Sequence, residues 1–146
     1  MLHQDYLVRM FMVLAAAIRR TILNTSGEKD PEASAELLES TLSNATEIDG
    51  SLLLKMDPET MVSMLQISNT DPTLVGYISR TLLLESSYLR QAQRFSRAEL
   101  REEQALSLAR AYDFSLSEED ISPGALESFF AESLPENIKS GTESCK

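Results

Sequence analysis

The chain of 146 residues contains one cysteine, one histidine and no tryptophan. A single cysteine excludes a disulfide framework or a thiolate metal cluster, and a single histidine excludes a multi-histidine site. Aromatic residues make up 6% of the chain, too few for a broad aromatic binding platform. Val, Ile and Thr nowhere alternate with polar residues over a strand length, so no sheet is expected. A glycine-rich phosphate loop, a paired metal-ligand motif and a serine-nucleophile motif are all missing. No cofactor and no catalytic residue is expected. The only unbroken apolar run near the start, Met10 to Ile18, is far short of the roughly 20 residues that span a bilayer. No basic residue precedes Arg9, and Arg19-Arg20 follow the run, the reverse of a secretory signal. A cytoplasmic protein with no membrane segment is the expectation.

The length fits one compact domain. Net charge is -10, distributed in blocks: +2 over residues 1–26, -8 over 27–71, +2 over 72–112 and -6 over 113–146. The acidic total opposes nucleic acid and anionic membranes as partners. The basic blocks are expected to face the acidic ones, within the fold or across an oligomer interface.

Helix starts are marked by Asp30-Pro31, Asp57-Pro58, Asp71-Pro72 and Ser122-Pro123. In each pair a side-chain oxygen can accept from a free first-turn amide, and proline follows where its missing N–H costs nothing. Ser96-Arg97-Ala98-Glu99 reads as a capping box. The spacing predicts helices over 5–24, 31–45, 58–67, 72 to as far as 94, 97–112 and 123–133, with a short buried turn at Leu52-Leu53-Leu54. Whether the helix from Pro72 runs on into the next is left open. Gly76 inside that helix implies a close-packed neighbour. Phe114 and Leu116 pass in extended form, and 117–121 form a short turn. The expected fold is all-α, five to seven helices in stacked antiparallel hairpins spanning residues 1–134, with a flexible polar tail over 135–146.

The first helix is apolar over most of its girth: Tyr6, Leu7, Met10, Phe11, Leu14, Ile18 and Ile22 follow one stripe, and Val8, Met12, Val13 and Ala15 to Ala17 widen it. Such a helix is buried on several sides, as the central helix of the domain or against a second copy of itself. Tyr6, Met10, Phe11 and Val13 are therefore the candidate interface of a homodimer. Arg90, Arg94, Arg97 and Arg101 approximate one face if the two helices carrying them join without a bend. They are candidate contacts for an acidic partner, and the alternative is an intramolecular pairing with the acid-rich second helix. Tyr77, Tyr88 and Tyr112 are the candidate lining of an inter-helix pocket, should the protein instead be a small-molecule binder or enzyme. Four acids between Asp113 and Asp120 lack the central glycine of a calcium loop and read as a helix start. His3 and Cys145, each near a terminus, lack the shaped surroundings that catalysis needs.

Three stretches, Leu2-His3-Gln4-Asp5-Tyr6-Leu7-Val8-Arg9-Met10, Glu47-Ile48-Asp49-Gly50-Ser51-Leu52-Leu53-Leu54 and Arg80-Thr81-Leu82-Leu83-Leu84-Glu85-Ser86, together resemble an uncharacterised family of small bacterial all-helical proteins. The resemblance covers most of residues 2 to about 116. It implies a bacterial source and an all-helical, tetratricopeptide-like fold, and it brings no catalytic residues. A shorter stretch, Ala109 to Leu116, is similar to the close of leader segments in the nitrogen-fixation-associated peptide family, whose double-glycine cleavage site this sequence lacks. The functional expectation is a non-catalytic protein–protein interaction module, homodimeric.

Overall fold

The computed structural model describes residues 2–27, 30–45 and 50–134. Glu47, Ile48 and Asp49 of the second resembling stretch, the tail 135–146 with Cys145, and the side chain of His3 lie outside the described residues. The helices are α1 (Leu2–Gly27), α2 (Pro31–Ala45), α3 (Gly50–Leu54), α4 (Pro58–Ile67), α5 (Pro72–Gln91), α6 (Phe95–Ala111) and α7 (Pro123–Ser133), with a 3-10 turn at Glu118–Ile121. No strand occurs among the described residues, and the fold is all-α.

All four Asp-Pro and Ser-Pro starts form as their chemistry requires. Asp30 Oδ1 accepts from Ala33 N at 3.1 Å. Asp57 Oδ2 accepts from Thr60 N at 3.2 Å. Asp71 Oδ1 accepts from Thr73 N at 2.8 Å, and Ser122 Oγ accepts from Ala125 N at 3.3 Å. The expected capping box at Ser96 does not form. The helix begins at Phe95 with Arg94 in the cap position, so Ser96 lies already inside it. Ser117 and Asp120 form a capping box instead, closing the 3-10 turn. At the other end of α1 the helix runs through Thr25-Ser26-Gly27, where the sequence places its stop.

Three helices end in one way. Thr70 N donates to Leu65 O and Asn69 N to Gln66 O; Arg94 N donates to Leu89 O and Gln93 N to Arg90 O; Phe114 N donates to Ala109 O and Asp113 N to Arg110 O. This paired 6→1 and 5→2 bonding is the Schellman motif. It needs a left-handed residue, and here Asn69, Gln93 and Asp113 adopt φ of 57°, 65° and 63°. At Ala92-Gln93-Arg94 the motif stops α5 and turns the chain into α6, so the two helices are a hairpin and not one rod. Gln93 lacks the short side chain that eases this conformation. Gln93→Gly is expected to stabilise the protein by about 1 kcal/mol, read as a rise in the urea midpoint at unchanged slope.

α5 is the central element. It packs against α6, α2, α1 and the 3-10 turn, and from Leu74 to Ser86 every residue but Arg80 is buried. α6 closes one side of it and carries α4 on its own flank; α2 closes another and carries α3. α1 lies across α2 and α5 and touches α7. Gly76 has the neighbour its position implied: a Cβ there would stand 3.1 Å from Cζ of Phe129 on α7.

Candidate interaction surface

The joint of α1, α5 and α7 is aromatic. Tyr77 of α5, fully buried, stacks between Phe11 at 4.8 Å and Phe130 at 5.8 Å between centroids, and takes Phe129 edge-on at 4.7 Å. Ser133 Oγ donates to Phe129 O at 2.8 Å, which leaves the Tyr77 hydroxyl to donate to Ser133 Oγ at 2.6 Å. Burial raises the phenol pKa, and the Ser133 bond and the nearby Arg19 and Arg80 only partly offset it. Arg19 lies over Phe130 and pairs with Glu127 at 2.8 Å. Arg80 lies 3.9 Å over Phe129. Phe11, expected at an interface, is thus part of the core, and so contributes to the fold rather than to a surface.

The arginine row pairs within the molecule, three of its members at the surface and Arg101 inside it. Arg94 pairs with Glu32 at 3.1 Å, Arg97 with Glu39 at 2.7 Å, and Arg90 with Glu102. Arg101, almost fully buried, reaches Glu85 at 3.0 Å and Glu39 at 3.2 Å. It also donates to the Leu54 carbonyl at 2.8 Å. Gln104 donates to the carbonyls of Leu54 and Met56 at 3.0 and 2.9 Å. One guanidinium thereby ties α2, the end of α3, α5 and α6 together. The acid-rich α2 takes up Arg94, Arg97 and Arg101, as the intramolecular alternative has it, although Arg94 and Arg97 stay exposed beside their partners. Sequence reasoning did not single out Glu85, Glu39 or Gln104. The one available signal was a carboxylate directly after Leu82-Leu83-Leu84 on a helix with two apolar stripes.

Glu85 is completely buried, and its second oxygen, Oε1, has no hydrogen-bond partner among the described residues. Burial raises its pKa to about 7 against the opposing pull of Arg101. A proton on Oε1 is the state that burial favours, with Oε2 still accepting from Arg101.

The three candidate pocket tyrosines do not converge. Tyr77 is enclosed in its aromatic stack. Tyr88 donates to Thr21 Oγ1 at 3.0 Å and borders an open groove of about 610 Å³ with Ile22, Leu84, Gln91 and Ile121. Tyr112 borders a separate groove of about 370 Å³ with Gln66, Asn69 and Asp71. Among the described residues no group of three or more His, Cys, Asp or Glu is placed to hold a metal.

Of the six large apolar residues that stay exposed among the described residues, three share α1 and the other three are single residues on three other helices. Phe11, Leu14, Ala15, Ala17, Ile18 and Thr21 are buried, while Met12 and Val13 are each 42% exposed and Leu23 is 72% exposed. Asp5, Arg9, Ala16 and Arg20 are exposed beside them. Of the expected interface residues, Val13 belongs to this face, Tyr6 and Met10 flank it half-buried, and Phe11 points the other way. Among the described residues neither Arg9 nor Arg20 has an ion-pair partner, unlike Arg19. Leu52, Ile67 and Phe95 are also exposed, on other helices.

Fold and surface together define the class: a small all-α domain whose polar clusters serve its own packing, with an uncovered apolar and basic face on its first helix. No helix of the described residues is long and apolar enough to cross a membrane. Comparison with protein-family profiles, curated sequences and solved structures gives no match to this chain.

Proposed function

We propose that this chain is a non-catalytic protein–protein interaction module of the cytoplasm, docking through the outward face of α1. The observation that carries this reading is that Met12, Val13 and Ala16 between Arg9 and Arg20, and Leu23 just beyond Arg20, stay exposed on a helix whose opposite face is core. Single exposed apolar residues are common on any protein. A run of them along one helix, edged by cations without ion-pair partners among the described residues, is the pattern of a helix laid against another helix. The reading draws further support from the intramolecular pairing of the arginine row and from the separation of the tyrosines, which border different grooves.

The test places a photo-crosslinking residue at Val13 in the full chain, within the cells it comes from, and the same residue at Ser63 on the exposed side of α4 as a control. A discrete adduct from Val13 and none from Ser63 is expected. Absence of any Val13 adduct would sink the docking surface.

A further inference from the structure

The α1 face is chemically complementary to itself. At 100° per residue, Asp5, Arg9, Met12, Ala16, Arg20 and Leu23 fall within an arc of about 80°. All six are exposed. Their 4-3-4-4-3 spacing approximates the 3.5-residue repeat of a helix–helix seam. Resting on the docking reading above, we propose that the occupant of this face is a second copy of the chain, lying antiparallel about a two-fold axis that passes between Met12 and Val13.

That register sets each residue opposite the one whose number completes 25. Asp5 of one copy meets Arg20 of the other, and the symmetry repeats this pair at the far end, about 22 Å away along the helix. Met12 meets Val13 at the axis. Arg9 meets Ala16, where a methyl group leaves room for the arginine stem to lie flat with its guanidinium in water. Sliding one copy by a helical turn in one direction brings Arg9 against Arg20, and in the other sets Asp5 against Ala16 and Arg9 against Met12; either slide loses both Asp5–Arg20 pairs, and the first adds like-charge repulsion. The long-range field also fits. Each chain carries a net charge of -10, yet this face carries two arginines against one aspartate, so two acidic molecules meet through a surface that does not share the repulsive sign.

A single helix face is smaller than a standard stable interface, and a dissociation constant on the order of tens of micromolar is expected. Sedimentation equilibrium of the full chain at low salt measures it. Asp5→Lys and Arg20→Glu each convert two attractive pairs into two repulsive ones, and each should weaken self-association about tenfold. Mixing the two variants in equal amounts sets the introduced lysine of one chain against the introduced glutamate of the other at one end. At the other end the native Arg20 and Asp5 still meet, so the mixture should recover the native affinity as a heterodimer. A chain that stays monomeric at several hundred micromolar, or variants that dimerise as the native chain does, or a mixture without recovery, would overturn the second copy as occupant. Circular dichroism of each variant checks that the helices persist. The crosslinking experiment separates the two ideas: a Val13 adduct whose mass is not twice that of the chain keeps the docking surface and removes the self-pairing.

Discussion

Arg101→Met is expected to cost the fold about 3–5 kcal/mol at pH 8, because it leaves the Glu85 carboxylate buried without the guanidinium that neutralises it. The loss should shrink at pH 5, where the carboxyl can be neutral. The sign follows from the raised pKa of Glu85, about 7 against 4.5 for the free side chain. The folded state holds this proton more tightly than the unfolded chain. The stabilisation is therefore complete below pH 4.5 and is lost as pH rises through 7. In the native protein Glu85 alone should lower stability by on the order of 3 kcal/mol between pH 5 and pH 8. Other carboxylates also titrate at the acid end, so the informative quantity is the difference from Glu85→Gln. That variant keeps an acceptor for Arg101 and a donor in place of the proton, and it should show a smaller fall over the same range. Urea denaturation of the three proteins at pH 5, 6, 7 and 8 measures this. Parallel pH profiles for the native chain and Glu85→Gln would show that Glu85 is charged throughout.

The same pair shows where sequence reading stops. Glu85 follows three leucines and precedes two serines, and in one dimension it could equally mark a solvated face. Only the approach of α6, which brings Arg101 to 3.0 Å, makes it a core residue. The helix starts were legible because their cause is local: an Asp or Ser oxygen and a proline ring act on amides within four residues. The stops were less so. A Schellman turn is usually announced by glycine, and Asn69, Gln93 and Asp113 take that conformation without one. That is why the break between α5 and α6 could not be placed from sequence. The charge blocks were informative because Arg94 meets Glu32 and Arg97 and Arg101 share Glu39, both acids of α2. The main stripe of α1 was legible: Tyr6, Leu7, Met10, Phe11, Leu14, Ile18 and Ile22 share one helical face, and all of them are buried or half-buried. Which of the flanking apolar residues stay outside was not, because Met12, Val13 and Ala15 to Ala17 carry the apolar band around the axis and weaken the contrast that periodicity acts on. Burial against α2 and α5 chooses Phe11 and Leu14 and leaves Met12 and Val13 out.

That choice gives the sharpest mutational contrast in the molecule, between two positions on one turn of α1. Phe11→Glu removes a ring that stacks at 4.8 Å on Tyr77 and places a carboxylate against that buried ring, inside the apolar core. Losing a buried phenylalanine costs about 3–5 kcal/mol, and the stacked contact adds about 1 kcal/mol. An unpaired charge in that setting costs several kcal/mol more. The sum is comparable to the entire stability of a domain this size, about 5–15 kcal/mol, so Phe11→Glu should be unfolded or nearly so at 25 °C. Val13→Glu, two residues on, should change stability by less than about 0.5 kcal/mol, since its side chain already meets water. It should nevertheless abolish self-association, because in the antiparallel pair each Val13 faces an apolar Met12 and a carboxylate there would be desolvated twice. Thermal melts by circular dichroism and sedimentation of the two variants make the comparison. A folded Phe11→Glu protein would remove the aromatic joint from the core, and an unfolded Val13→Glu protein would place the docking face inside the molecule. Either result would require α1 to be rotated about its axis relative to α5, and the outward stripe with it.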